Sequence, residues 1–143
     1  MKPVMQTDET FETGNCGEAC LASILEIKLS DIPPLHNPED PTDGHTYCKN
    51  LREFVSQFGL SYIDLAMNEG HKPEEFFKDC WVIATGLSPR ATEGWHRHGV
   101  VWRNGKIVHD PHPSNAGLET IDMYGVFINK DPSISKKKGG ETE

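Results

Sequence analysis

The sequence predicts an α+β domain in which N-terminal helices pack on an antiparallel β-sheet. Three observations carry this. Apolar residues recur at helical spacing after Asn15 and again before Gly59, and β-type runs dominate the last third of the chain. Two of those runs, GVVW and KIVH, flank Asn104-Gly105, a strong hairpin signal. Helical patterns come first and strands later, the order expected when helices segregate to one side of a sheet.

Taken in order, NCGEACLASILEI from Asn15 reads as a helix. Asn15 can cap its free N–H groups, and Glu18, three residues on, can reach back as in a capping box. Cys16 opens this helix. Cys16, Cys20 and Ile24 follow at four-residue steps, with Ala19, Ala22 and Ile27 widening the stripe, so burial is expected along one side. Residues 33–45 hold four prolines and no periodicity, which marks a long surface loop. A second helix over about 46–58 puts Leu51, Val55 and Phe58 together and stops at Gly59. Then 61–66 reads as a strand, 73–78 as a short helix started by proline, and 81–85 as a buried strand. HGVVW, KIVHD and a closing strand around 124–128 complete the sheet. A length of 143 residues fits one domain, 1–130, followed by a disordered polar tail, 131–143.

Composition narrows the function classes. A net charge of −8 argues against binding a phosphate backbone, which needs clustered Lys and Arg. The acidic surface favours a basic or neutral partner through steering. The first ten residues lack a signal-peptide pattern and no run of 18 apolar residues offers a membrane span, so the expected compartment is the cytoplasm. There, four cysteines read as reduced thiols, metal ligands or a nucleophile. Cys20, Cys48 and Cys80 are expected as small buried hydrophobes. Cys16 differs because a thiol in the first turn of a helix faces the positive end of the macrodipole, which stabilises its thiolate. The same N–H groups can donate to an oxyanion formed when the thiolate attacks a carbonyl.

A thiol nucleophile needs a base, and the base an orienting group. The stretch HRHGVVWRNGKIVHDPHP supplies candidates for both. Loop length decides which side chains meet, since a one-residue slip moves a side chain to the other face. A two-residue turn at Asn104-Gly105 would put His98 on the face of His109. A three-residue loop, Arg103-Asn104-Gly105, would pair Trp102 with Lys106, Val100 with Val108 and His98 with Asp110. The second register is the expected one, with His98 as base and Asp110 as its orienter; His96 is the rival base.

In NCGEAC, HGVV and HDP the chain resembles papain-like thiol peptidases, closest to the compact bacterial group that includes bacteriocin-leader-processing domains of export transporters. Their pattern, an upstream glutamine, a Cys-Gly opening a buried helix, a histidine starting a strand and an Asp-Pro ending the next, matches Gln6, Cys16-Gly17, His98 and Asp110-Pro111. The resemblance implies a papain-like fold, a Cys-His-Asp triad and Gln6 donating to the oxyanion. Two departures stand out: Gln6 lies ten residues before Cys16, so the chain between must bulge, and Glu18-Ala19-Cys20 does not follow the papain signature.

The expectation is therefore a cysteine hydrolase acting on an amide-type bond in a peptide or protein substrate, with no metal or organic cofactor. Catalytic candidates are Cys16, His98, Asp110 and Gln6. Substrate-binding candidates are Gly14, Asn15 and Gly17 around the thiol, with Arg90, placed to pair with an acidic group, and Trp95; the loops 33–45 and 88–95 are the expected cleft walls. Rival readings are a papain-fold deamidase or a toxin or counter-defence protein, and, in another class, a non-catalytic partner-binding module or a zinc module built from Cys16, Cys20, His96, His98, His109 and His112.

Overall fold

Five antiparallel strands separate two apolar layers. They are β1 (Leu60–Leu65), β2 (Val82–Leu87), β3 (Arg97–Arg103), β4 (Lys106–His109) and β5 (Met123–Asn129), in the spatial order β1-β5-β2-β3-β4. The computed structural model describes residues 1–133, so residues 134–143 of the expected tail lie outside the described residues. Helices α1 (Cys16–Leu25) and α2 (Gly44–Ser56) precede the sheet, and the short α3 (Pro73–Phe76) sits between β1 and β2. The fold is α+β, as the order of patterns predicts.

Strand alternation sorts the core. Ile83, Val101 and Tyr62 pack with Cys20, Leu21 and Ala22 of α1 and Leu51, Phe54 and Val55 of α2. Val82, Ala84, Val100 and Trp102 pack with Tyr124, Val126 and Phe77 in the second cluster. The middle of α1 is buried on every side: Glu18 to Ser23 are six consecutive buried residues, where a one-sided stripe is expected. The far side is covered by Ile32 and Leu35 and by the N-terminal segment, whose Val4 amide donates to Ser23 Oγ at 2.9 Å. The proline-rich stretch is thus no mere surface loop, since Leu35 is fully buried and Asn50 Nδ2 donates to its carbonyl at 2.9 Å. The start of α2 is fixed by Asp43, whose carboxylate accepts from the Thr46 amide at 3.0 Å. Among the described residues no helix is long and apolar enough to cross a membrane.

The hairpin corrects the expected register and keeps its consequence. Asn104 (φ 50°) and Gly105 (φ 85°) are both left-handed, the signature of a two-residue turn, and Arg103 pairs with Lys106 and Trp102 with Ile107. The three-residue loop does not form. Instead a β-bulge follows, the register slips between Val101 and Trp102, and Val101 pairs with His109. Asp110 therefore falls opposite Val100, on the face that His98 shares by alternation. Turn and bulge together make an even shift, so the parity lost at the turn is recovered two residues later.

One-residue changes on either side of the bulge should then have opposite effects. Deleting Val108 removes the bulge but leaves Asp110 opposite Val100, so His98 should keep a raised pKa by NMR titration. Inserting glycine between His109 and Asp110 turns the carboxylate away and should return His98 to about 6.5, the usual imidazole value.

Candidate active site

The candidate nucleophile, base and orienter come from three separate elements that meet at one end of the sheet. Cys16 is the first residue of α1, His98 the second of β3, and Asp110 follows the end of β4. His98 and Asp110 are both buried, and His98 Nε2 lies 2.7 Å from Asp110 Oδ1. That bond leaves Nδ1 as the ring nitrogen for the Cys16 side. Asp110 is held by its own loop: Oδ1 accepts from the His112 amide at 2.9 Å and Oδ2 from the Gly117 amide at 2.8 Å.

These contacts set the protonation states. Desolvation lowers the His98 pKa, but the hydrogen bond to Asp110 and the influence of the nearby Cys16 sulfur outweigh it and raise the ring to about 9. Desolvation likewise opposes the charge on Asp110, and the bonds from His98 and the two amides overcome it, holding the carboxyl below its usual value. An imidazolium facing a sulfur and backed by a carboxylate is the favoured state near neutral pH. Since the folded pKa of His98 exceeds its unfolded value, its contribution to stability is full below about pH 6.5 and is lost as pH rises through about 9. Asp110 contributes in the opposite sense, above its unfolded value, and is lost on acidification.

The helix start is built differently from the expected capping box. The Asn15 side chain makes no cap; its Oδ1 accepts from the amides of Thr7 and Asp8, both at 3.0 Å, and Nδ2 donates to Thr7 Oγ1 at 2.8 Å. The Asn15 side chain is thus engaged with the preceding segment. Glu18 turns instead to Tyr47, whose hydroxyl donates to Oε1 at 2.9 Å; burial pushes the Glu18 carboxyl up. Gly17 permits this contact, because a Cβ there would come within 2.3 Å of the Tyr47 hydroxyl oxygen. Gly14 has the same logic, with the Thr10 carbonyl oxygen 2.1 Å from the position of its Cβ. Both glycines line the cleft, but the space they release is filled by protein rather than left for substrate.

Gln6 is buried beside Cys16 in the wall of the same cleft. The chain between them does bulge. Asp8 gathers it, accepting from Thr10 and Thr13 through its carboxylate, while its carbonyl accepts from Gln6 Nε2 at 2.9 Å. Gln6 Nε2 keeps a second hydrogen, and Oε1 is buried with no partner among the described residues. The cleft measures about 620 Å³. His36, Pro41 and Thr42 line it from one loop and Arg90 and Trp95 from the other, together with Phe11 of the bulge.

The remaining candidates are dispersed. His96 stacks on Phe11 with ring centroids 4.0 Å apart, and its Nδ1 accepts from the Thr92 amide, so it does not approach the thiol as a rival base. His109 Nε2 bonds the Val4 carbonyl at 2.7 Å. Among the described residues no group of three or more His, Cys, Asp or Glu side chains could hold a metal ion, and the six residues of the zinc alternative serve these separate contacts. Cys20 is fully buried, with its thiol pushed well up by desolvation and by Cys16. Cys48 is only half-buried and lines the cleft, and Cys80 is exposed, where burial of both is expected. His112, which the sequence offers only as a zinc ligand, instead neighbours the triad candidates: its ring meets His98 edge-on at 6.1 Å and its Nε2 lies 3.1 Å from Glu9 Oε1. Only its place two residues beyond Asp110 signals it.

No family model, curated protein or solved structure matches this chain.

Three substitutions test the geometry. Asp110→Asn removes the negative partner, so the His98 pKa should fall from about 9 into the ordinary imidazole range, seen in the ring proton shifts. Gly17→Ala and Gly14→Ala should each destabilise the fold by about 1–3 kcal/mol through overpacking. Gly14→Ala should cost more in thermal melts, because its obstacle is backbone and cannot swing aside.

Proposed function

We propose that the chain is a papain-like cysteine hydrolase that cleaves an amide-type bond in a peptide or protein. The observation that carries this reading is the buried His98 ring, bonded through Nε2 to a fixed Asp110 and lining one cleft with Cys16 at the start of a helix.

The reaction follows from those positions. His98 holds the thiol proton as imidazolium, and the Cys16 thiolate attacks the carbonyl carbon, moving the C=O π pair to oxygen. The Cys16 backbone N–H and the free hydrogen of Gln6 Nε2 stabilise that oxyanion. Collapse expels the amine, which takes the proton from His98, and a thioester remains. Water attacks the thioester with His98 as base, the C–S bond breaks, and acid and thiolate are released. Asp110 keeps the ring in the tautomer and orientation both steps need. Every group required is a side chain or backbone amide of this chain, and the four free cysteines suit a reducing compartment such as the cytoplasm.

Cys16→Ala should abolish turnover of a fluorogenic peptide-amide mixture, whereas Cys48→Ala and Cys80→Ala should retain it. With the wild-type protein at mildly acidic pH, iodoacetamide followed by peptide mass mapping should mark Cys16 before the exposed Cys80. Equal or inverted labelling would sink the reading.

A further inference from the structure

The cleft wall carries a guanidinium that has no ion-pair partner among the described residues. Arg90 is half-buried, and its guanidinium lies over the Phe11 ring at 5.3 Å from the centroid. It makes no ion pair and no side-chain hydrogen bond among the described residues, although it is close enough to lower the pKa of His112. Of the other charged side chains of this wall, Arg97 pairs with Asp122, Glu9 Oε1 lies 3.1 Å from His112 Nε2, and Glu12 is exposed to solvent. Arg90 is also held in place. The Ser88 hydroxyl accepts from the Arg90 amide at 3.1 Å, the Ser88 carbonyl accepts from the Ala91 amide, and the Phe11 ring beneath the guanidinium is itself stacked on His96. A planar fork of donors, ordered and partly dehydrated but unmatched, is suited to a carboxylate that arrives from outside.

Resting on the hydrolase reading, we infer that Arg90, ordered on Phe11, binds a carboxylate of the substrate in the same cleft as Cys16, so that amides flanked by an acidic group are preferred. The carboxylate is either an acidic side chain or a chain end; both present the same two oxygens.

Three chloroacetyl dipeptides separate these sources: chloroacetyl-Gly-Glu-amide carries only a side-chain carboxylate, chloroacetyl-Gly-Gln acid only a terminal one, and chloroacetyl-Gly-Gln-amide neither. In each, the Cys16 sulfur forms a bond to the methylene carbon and chloride leaves, which intact-mass spectrometry follows with time. At least one acidic probe should react about tenfold faster than the neutral one, the increment expected of one charge-assisted pair. Arg90→Gln should erase that difference between the probes, while Arg90→Lys should keep part of it as a point charge. Equal rates for all three probes, or a preference that survives Arg90→Gln, would overturn the Arg90 inference alone. If Cys16 reacts with iodoacetamide no faster than Cys80, the hydrolase reading fails and this inference with it.

Discussion

A charged imidazole inside a protein persists only where opposite charge and hydrogen bonds replace the water it has lost. For His98 that replacement is Asp110, 2.7 Å away, and Asp110 in turn is no free side chain. The amides of His112 and Gly117 fix both of its oxygens, so the orientation of the imidazole is inherited from the backbone of the 110–117 loop. Removing one member of such a pair leaves the other charge buried alone, a penalty of about 3–5 kcal/mol in comparable sites. Fold and chemistry are therefore coupled here: the contact that would run a reaction is also one the hairpin's end needs in order to stay closed.

The Cys16 end of the cleft is tied to the His98 end by chain that lies far away in sequence. The Gln6 amide donates to the Pro111 carbonyl at 3.1 Å, His109 meets the Val4 carbonyl, and His112 meets Glu9. These links run from the N-terminal segment to the segment around Asp110, and Asn15 and Asp8 then lock that segment onto the first turn of α1. The position of Cys16 relative to His98 is thus set less by the packing of α1 on the sheet alone than by this lacing. It also explains why a ten-residue separation between Gln6 and Cys16 is compatible with both lining one cleft: the extra length is taken up in a bulge that Asp8, Thr10 and Thr13 hold together.

The elements were legible wherever a single period decides them. The order of helices and strands, the opening of α1 at Cys16 and the hairpin at Asn104-Gly105 follow from spacing and turn chemistry. What spacing cannot encode is competition for partners. Asn15 has the chemistry of a cap and is used as a clamp on Thr7 and Asp8; Glu18 has the position of a capping box and answers Tyr47, 29 residues away. The bulge between Val101 and Trp102 has no signal of its own in KIVH, so the turn type and the parity of Asp110 could not both be read from the hairpin alone. Histidines are the hardest case. His96, His98, His109 and His112 are equivalent in composition, and only tertiary neighbours make one a stacking plate on Phe11, one a partner of the Val4 carbonyl and one the partner of Asp110.

Charge acts on two length scales in this molecule, and they point in different directions. The net charge of −8 produces a field that favours basic or neutral encounter partners, but in physiological salt that field fades over about 8 Å. Within the cleft the distances are shorter and the medium less polarisable, so the guanidinium lying over the Phe11 ring acts there more strongly than the carboxylates outside it. The overall acidity disfavours strongly acidic macromolecules approaching from solution, while under the proposed reading the cleft would select for one carboxylate beside the substrate amide. A short acidic determinant in an otherwise neutral or basic chain satisfies both conditions, whereas a polyanion fails the first.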